Sequence, residues 1–392
     1  MKMKISKWTW PLEKGFTLAE VLVASAVMLI VVLGTLAIYM RSHRIAVDQQ
    51  RIAELQHDVR TAMFFISRDV RSAGVGLVPE IAGYFLEGYD AFSPGEEAAD
   101  SIKLIGNFDD PLALKIRDYQ GGSGGGAATA FLYDYELWNA PYECPEYYEN
   151  RVVLIMSTTC PGCFAFRFIP RNGMHGCPQQ GGASHFNMQP GQSDLNPPGG
   201  LIDTGCGSDC WDDAIVTFGQ IKQYWLDTTG HPGDYSNIPS LDSNHGYLGI
   251  PYTLYLTTID DQGQVVHYAI AQNIENIQFQ YNGDFNNDGV LDGFLDWDIT
   301  WTIQPTDDDA TRQSKLDRIS AISQVRIWVL GRTEEKVMGV SGSPPNNIYL
   351  YRRPPLANSP GATEDDMHRR VLLDSAVTIR NLVLNLYNLG TR

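Results

Sequence analysis

Residues 14–40 read KGFTLAEVLVASAVMLIVVLGTLAIYM, and this segment determines the architecture of the chain. From Phe16 to Met40 the sequence contains one charged residue, Glu20, and no proline. At about 1.5 Å per residue, a helix over 16–40 would be about 37 Å long, enough to cross the roughly 30 Å hydrocarbon layer of a bilayer. The sequence therefore predicts a transmembrane helix over residues 16–40.

A short basic segment precedes the apolar run. Residues 1–15 contain four lysines and one glutamate, a net charge of +3. Basic flanks of a membrane helix stay on the cytoplasmic side, so the chain after Arg41 is expected to be exported. A cleavable secretory signal fits less well, because its apolar core would be about 7–15 residues long and would be followed by small residues. Here Gly15 comes before the apolar run.

The segment Lys14-Gly15-Phe16-Thr17-Leu18-Ala19-Glu20 resembles the type IV prepilin signature. The resemblance implies that residues 1–15 are a leader peptide, which prepilin peptidase removes by cutting after Gly15. It also implies that the new N-terminal residue, Phe16, is methylated. The alternative interpretation is a plain signal anchor with an incidental glycine, which leaves Glu20 unexplained.

Glu20 carries a charge at a depth where charges are costly. A carboxylate inside a bilayer costs roughly 2.5–3.5 kcal/mol on insertion scales. The resemblance implies that a cation offsets this cost, namely the N-terminal amine of Phe16 in the same or a neighbouring subunit. We therefore expect Glu20 to set the register during filament assembly.

The helix is expected to continue beyond the membrane as an amphipathic segment over residues 41–76. The apolar positions from Ile45 to Val70 follow spacings of 7, 3, 4, 4, 3 and 4, which place them on one helical stripe. Gly74 and Gly76 are expected to end the helix, at about Ala73. A membrane anchor followed by a coiled-coil stalk is the alternative, although the stripe spans fewer than four heptads.

Residues 77–392 are expected to form an exported head domain of the α+β class. Short strand-like runs alternate with turn residues, and no repeating β-α pattern follows the first helix. The predicted fold is pilin-like: a long N-terminal helix packed on an antiparallel β-sheet, with large disulfide-stapled insertions, chiefly at about 119–245. The predicted strands are Ser101–Ile105, Arg151–Met156, Phe164–Ile169, Ala214–Leu226, Tyr252–Thr258, Gln264–Ala271, Ile274–Tyr281, Ile322–Leu330 and Val371–Leu384.

Several later motifs resemble the PilW-like minor pilins and occur in that family's order. They are LQHDVR at 55–60, RDVRSAG at 68–74, ADSI at 99–102, IENIQFQY at 274–281, VRIWVL at 325–330, RRV at 369–371 and TIRN at 378–381. The resemblance implies a minor pilin of a type IV pilus, added at or near the filament tip to prime assembly. A minor pseudopilin of a type II secretion system shares the N-terminal signature, and a filament-displayed, calcium-dependent adhesin is a further alternative.

The same resemblance implies the partners and the location of the protein. Its partners would be other minor and major pilins, contacted through the N-terminal helix, together with prepilin peptidase and the inner-membrane pilus assembly machinery. The lipid bilayer would hold the helix before assembly. The chain would be a single-pass protein of the bacterial inner membrane with its head in the periplasm, and would later be extracellular in the pilus.

An acidic loop after the predicted strand 274–281 resembles an EF-hand or dockerin-type calcium loop. Asp and Asn alternate at its first, third, fifth and ninth positions, with a glycine at the sixth and a backbone carbonyl at the seventh, the pattern of ligands that Ca²⁺ prefers. The twelfth position is Leu295 rather than glutamate, so Asp296 would have to substitute. The alternative is an acidic turn without metal. The candidate calcium ligands are Asp284, Asn286, Asp288, Val290, Asp292 and Asp296.

Six cysteines lie within 67 residues of the exported part. An even number of cysteines in an oxidising compartment predicts three disulfides, with the pairing left open among 15 connectivities. Two alternatives use the short Cys-containing motifs: a zinc site formed by Cys160-Pro-Gly-Cys163 with Cys206-Gly-Ser-Asp-Cys210, or a redox-active Cys160/Cys163 pair. The cysteines are Cys144, Cys160, Cys163, Cys177, Cys206 and Cys210.

The composition of the chain argues against one class of partner, and its motifs argue against enzymatic activity. The formal net charge of −17, from 29 basic and 46 acidic residues, argues against a direct nucleic-acid partner. The chain lacks HExxH and a phosphate-binding loop, so we predict that it is not an enzyme. The acidic run Asp307-Asp308-Asp309 is interpreted as solvent-exposed.

Overall fold

The first element of the computed structural model is a single long helix, α1, over Leu18–Ser72. Its 55 residues correspond to about 82 Å of helix at 1.5 Å per residue. The structure describes residues 17–93, 98–108, 113–121, 128–133, 144, 146–177, 183–188, 195–197, 200–235, 238, 241, 245–260, 262–304, 306–335 and 351–379.

The second half of α1 buries the predicted apolar stripe from Leu55 to Val70, whereas Ile45 at the start of the stripe is exposed. The helix ends where the glycines predict. The helix stops at Ser72, and Gly74 and Gly76 adopt positive φ angles of 80° and 73°. The Gly74 amide donates a hydrogen bond to the carbonyl of Ile105, so the chain turns directly onto a sheet. The fully buried apolar residues of the helix are Leu55, Val59, Ala62, Ile66 and Val70.

The described residues after α1 form seventeen strands and a second helix, α2, over Asp309–Ser320. The strands are β1 Leu86–Tyr89, β2 Ser101–Gly106, β3 Ala113–Gln120, β4 Ala128–Leu132, β5 Arg151–Met156, β6 Phe164–Ile169, β7 Met174–His175, β8 His185–Met188, β9 Ile215–Thr217, β10 Gln220–Asp227, β11 Thr253–Ile259, β12 Val265–Ala271, β13 Ile274–Gly283, β14 Ile322–Arg332, β15 Tyr351–Arg352, β16 Asp365–Asp366 and β17 Arg370–Thr378.

These strands pair antiparallel, which confirms the predicted α+β, pilin-like layout. One sheet has five strands in the order β1-β2-β10-β11-β12, and another has three in the order β13-β14-β17. A seven-stranded sheet has the order β6-β5-β9-β3-β4-β8-β7, and β15 pairs with β16. The turn between β11 and β12 has Gly263 at φ 75°, and the Asp260 carboxylate accepts from the backbone amides of Gln262 and Gln264.

The first hydrophobic core lies between α1 and the five- and three-stranded sheets. The helix approaches β14 closely because that strand has a glycine at 331. A Cβ on Gly331 would lie 2.4 Å from a methyl carbon of Val59 and 2.6 Å from one of Leu55. Any larger residue at this position would have to push the helix away from the sheet.

A buried polar cluster fixes α1 to the five-stranded sheet. The hydroxyl of Tyr224 donates to the Asp69 carboxylate at 2.6 Å, and the Lys222 ammonium lies 3.2 Å from the same oxygen. Lys222 and Asp69 are 7% and 2% exposed. Because the carboxylate of the helix has both a cation and a donor from the sheet, the charge is compensated inside the core.

A second core belongs to the seven-stranded sheet, which we call the second lobe, residues 113–217. The predicted strand Ala214–Leu226 is wrong as one strand: β9 ends at Thr217 in the second lobe, and β10 starts at Gln220 in the five-stranded sheet. The break falls at Gly219, where a Cβ would lie 2.4 Å from the Leu154 side chain. The predicted insertion of about 119–245 therefore contains strands of both sheets.

Helix α2 begins at the acidic run Asp307-Asp308-Asp309, in which Asp308 and Asp309 are exposed as predicted and Asp307 is partly buried. The Asp308 side chain caps the helix by accepting from the amide of Thr311 at 2.8 Å. Asp307 lies 2.8 Å from the Lys315 ammonium, and this hydrogen bond lowers the pKa of Asp307. The run is thus a helix start signal, because a capping carboxylate satisfies a free amide of the first turn.

Candidate assembly site

The described part of the N-terminal segment begins with a capping box at α1. The Glu20 carboxylate accepts from the backbone amide and from the hydroxyl of Thr17, both at 2.9 Å. The Thr17 hydroxyl in turn accepts from the Glu20 amide at 3.3 Å. This reciprocal pattern, with Thr at the cap and Glu three residues later, satisfies amides that the first turn leaves without a helical partner.

Thr17 is a site residue that the sequence reasoning did not single out. The signal was present in the sequence, since Thr-x-x-Glu before an apolar run is a capping-box pattern. The structure gives Glu20 a local role as a helix cap, which is separate from the intersubunit role implied by the prepilin resemblance. Gly15 and Phe16 lie outside the described residues.

The first half of α1 exposes its apolar residues. Leu18 is 82% exposed, Ile30 is 70% exposed and Ile38 is 69% exposed. Within the described ranges, α1 is the one helix long and apolar enough to cross a membrane, judged by length and composition. Exposing these apolar side chains to water is unfavourable, so this half of the helix is suited to surroundings of lipid or of other helices.

The acidic loop after β13 is an exposed turn whose side chains bond to its own backbone. Asp284 accepts from the amides of Asp288 and Gly289, at 3.0 and 2.8 Å. Asp288 accepts from the amide of Val290 at 2.8 Å, and Asn286 accepts from the Asp288 amide at 3.0 Å. These bonds are typical of Asx turns, in which Asp and Asn side chains replace backbone partners.

The remaining predicted calcium ligands have other contacts in the structure. Asp292 accepts from the amide of Phe285 and from the side chain of Asn286, at 2.7 and 3.0 Å. Asp296 accepts from the Gln280 side chain at 3.0 Å, while Leu295 pairs with Tyr281 in an isolated bridge. Among the described residues, no group of three or more His, Cys, Asp or Glu is arranged to hold a metal ion. Calcium binding by this loop stays a prediction.

The six cysteines form three disulfides in the second lobe. Cys144 pairs with Cys177, with Cα atoms 5.9 Å apart. The other two bonds are Cys160–Cys210 and Cys163–Cys206, with Cα separations of 5.5 and 6.1 Å. The two short Cys-containing motifs are therefore cross-linked to each other, an arrangement that leaves none of these thiols for a zinc ion. Disulfides stabilise a folded domain mainly because they reduce the conformational freedom of its unfolded chain.

Comparison with known proteins identifies the N-terminal segment. Residues 10–36 match the family model of the prokaryotic N-terminal methylation motif. No match was found among curated proteins or among solved structures. The motif supports a type IV prepilin-like chain, that is, a pilin-like or pseudopilin protein, and pilin-like proteins with this motif are structural proteins rather than enzymes. The apolar helix and the motif are consistent with anchoring in the inner membrane.

Proposed function

We propose that this protein is a PilW-like minor pilin of a type IV pilus. Prepilin peptidase cuts it after Gly15 and methylates Phe16, and the α1 segment holds it in the inner membrane before assembly. It then joins other minor and major pilins, at or near the tip, to prime filament assembly, and it acts as a structural subunit rather than as an enzyme. The observation that carries the proposal is the methylation motif at residues 10–36, which overlaps the exposed apolar first half of α1.

Glu20 is the residue on which assembly is proposed to depend. The capping box needs only an acceptor at this position, so its local role does not require a charge. An ion pair between subunits does require one. These two roles can therefore be separated by a neutral side chain that still accepts the Thr17 hydrogen bond.

The test compares Glu20→Gln with Glu20→Ala in cells. Both variants should be processed and methylated normally, while the fraction assembled into filaments falls about tenfold or more, since the lost ion pair offsets a few kcal/mol. Ser25→Ala, a polar-to-apolar change in the same exposed segment, is the matched control and should assemble normally. Wild-type assembly of Glu20→Gln would show that the cap alone matters and would contradict the proposed ion pair.

A pseudopilin of a type II secretion system is the second candidate, because the methylation motif serves both kinds of protein. Deletion of the gene separates the two functions. Loss of surface pili with normal secretion supports the pilus, whereas loss of secretion with normal pili supports the pseudopilin. Mass spectrometry of the native protein should find an N-methylated Phe16 as its first residue.

A third candidate function is that of a calcium-dependent adhesin displayed on the filament. In this function a Ca²⁺ ion bound at the acidic loop would stabilise the head. Titration calorimetry of the full-length protein with CaCl₂ tests this, with Asp284→Ala and Asp288→Ala as variants. Glu334→Ala, a change outside the loop, is the control. Binding that both loop variants abolish would support the site, and absence of binding at millimolar calcium would exclude it.

A further inference from the structure

A pair of histidines lies at one edge of the second lobe. Strand β7 is the last strand of the seven-stranded sheet, and it pairs with β8. The disulfide Cys144–Cys177 lies two residues beyond β7 and ties this hairpin to the preceding chain. The hairpin is thus an anchored element rather than a loose loop.

The two histidines occupy directly opposite positions on this hairpin. His175 on β7 is the register partner of His185 on β8. Their ring centroids are 5.0 Å apart, and the ring planes differ by 26°. His175 is exposed and His185 is partly exposed, so both imidazoles are accessible from solvent. Opposite side chains of an antiparallel pair have Cβ atoms about 4.5–5.5 Å apart, which brings two imidazoles within reach of one ion.

A hydrogen bond orients His185 in the way that metal-binding histidines are usually oriented. Its Nδ1 lies 2.9 Å from the carbonyl oxygen of Ala183. A carbonyl only accepts, so Nδ1 carries the proton and Nε2 keeps the lone pair. Metal-ligating histidines almost always donate their other ring N–H to such an acceptor, because this fixes the tautomer and the ring orientation.

The sheet also fixes the His185 ring from the opposite side. Phe131 on β4 is the register partner of His185, and its ring centroid lies 5.2 Å from the imidazole. His185 is therefore held between an aromatic ring on one side and His175 on the other. Little side-chain freedom remains to be lost when an ion binds, which favours binding.

We propose that His175 and His185 form a two-histidine site for a divalent first-row transition metal, with Cu²⁺ bound most tightly and Ni²⁺ and Zn²⁺ more weakly. Imidazole nitrogen suits these ions, and the affinity of nitrogen sites generally peaks at Cu²⁺. Two nitrogens at about 2.0–2.1 Å from one ion lie about 3 Å apart, a distance that the exposed His175 imidazole reaches by rotating toward the fixed His185 ring. Water completes the coordination. This site is independent of the proposed pilus function.

Calorimetric titration of the full-length, untagged protein in detergent with CuSO₄, NiCl₂ and ZnCl₂ tests the proposal. One Cu²⁺ per chain is expected to bind tightly at pH 7.5, and His175→Ala and His185→Ala should each weaken that binding by about tenfold or more, since either change removes half of the protein ligands. His231→Ala removes an exposed histidine elsewhere and should leave the affinity unchanged. Circular dichroism of each variant confirms that it is folded.

Two further readouts distinguish a metal site from a purely aromatic contact. His185→Phe keeps the aromatic row with Phe131 and removes the ligand, so it should fold like the wild type and lose the copper. The electron paramagnetic resonance spectrum of bound Cu²⁺ should show coupling to two imidazole nitrogens. Unchanged copper affinity in the His175→Ala, His185→Ala double variant, or a spectrum without imidazole nitrogen, would overturn the proposal.

Discussion

The two halves of α1 both carry apolar side chains, but these side chains have opposite surroundings. In the first half, Leu18, Ile30 and Ile38 are all more than two-thirds exposed. In the second half, Val59 and Ile66 are completely buried in the first core. The first half is apolar all round, as expected of a helix surrounded by lipid or by other helices. The second half is apolar on one stripe, as expected of a helix that packs on a sheet with one face.

The carboxylates of the helix show the same contrast. Among the described residues, Glu20 in the first half bonds within its own helical turn, to Thr17. Asp69 in the second half is buried against Lys222 and Tyr224 of the sheet. The two carboxylates are therefore compensated differently. Asp69 is compensated inside the head by Lys222, whereas Glu20, in our proposal, is compensated by a cation of another subunit in the filament.

The largest expected difference in stability is between two variants, each of which places a carboxylate in one half of α1. Val59→Asp should lower the free energy of unfolding of the head by about 4 kcal/mol or more, since it buries an unpaired carboxylate against β14. Val31→Asp, at a position that is 61% exposed, should change it by less than about 0.5 kcal/mol. Urea unfolding followed by tryptophan fluorescence in detergent measures both.

Val31→Asp should instead affect the membrane. A carboxylate in the middle of the spanning segment costs roughly 2.5–3.5 kcal/mol on insertion, so less protein should be recovered in the membrane fraction. Equal loss of head stability in the two variants would contradict the division of α1 into two environments.

A smaller effect is expected from the buried ion pair. Asp69→Asn removes the charge that compensates Lys222 and should cost about 3 kcal/mol of unfolding free energy. Tyr224→Phe removes one hydrogen bond and keeps the ion pair, so it should cost about 1 kcal/mol. Glu54→Gln, at an exposed acid of the same helix, is the control and should be nearly neutral. A cost for Asp69→Asn no larger than that for Tyr224→Phe would argue against an essential ion pair.

The smallest expected effect is a pH dependence at Asp58, the half-buried acid of α1. Burial raises the pKa of this carboxyl, although the side chain of Asn273 donates to it at 3.0 Å and opposes the shift. Because the folded pKa exceeds the unfolded value of about 3.9, the folded state binds the proton more tightly, and stability is lost as the pH rises through the folded pKa. Asp58→Asn lacks this titration.

The wild type should therefore gain stability relative to Asp58→Asn when the pH is lowered from 7 to 4. Urea unfolding of both proteins at the two pH values measures the difference, and effects of other acids cancel because both chains share them. A difference that does not change with pH would show that Asp58 is solvated in the folded protein.

Much of the region around the first core, that is, α1 with the five- and three-stranded sheets, could be predicted because local signals agree with its tertiary structure. Strands β13 and β14 begin at the predicted residues, Ile274 and Ile322, and α1 ends within one residue of the predicted end. In these segments the apolar period or the turn residues alone specify the element. The break at Gly219 could not be predicted in the same way, because it depends on contact with Leu154 of another strand.

The second lobe was harder to predict for the same physical reason. Strand β4 is only five residues long, and its sequence ATAFL has weak β propensity at the alanines, so its place in the sheet depends on β3 and β8. The disulfide pairing follows from which loops the sheet brings together. The histidine pair likewise depends on the register of β7 and β8, which no short-range pattern reveals.

One hydrogen bond joins the point where the chain enters the second lobe to the point where it leaves that lobe. Asn107, one residue after β2, donates from its side chain to the hydroxyl of Thr217, the last residue of β9, at 2.7 Å. The chain thus departs for the second lobe and returns from it at neighbouring points. A segment with adjacent ends can be gained, lost or exchanged with little disturbance to its host. The disulfide-bonded lobe is therefore suited to replacement as one unit, without rebuilding the helix and its sheets.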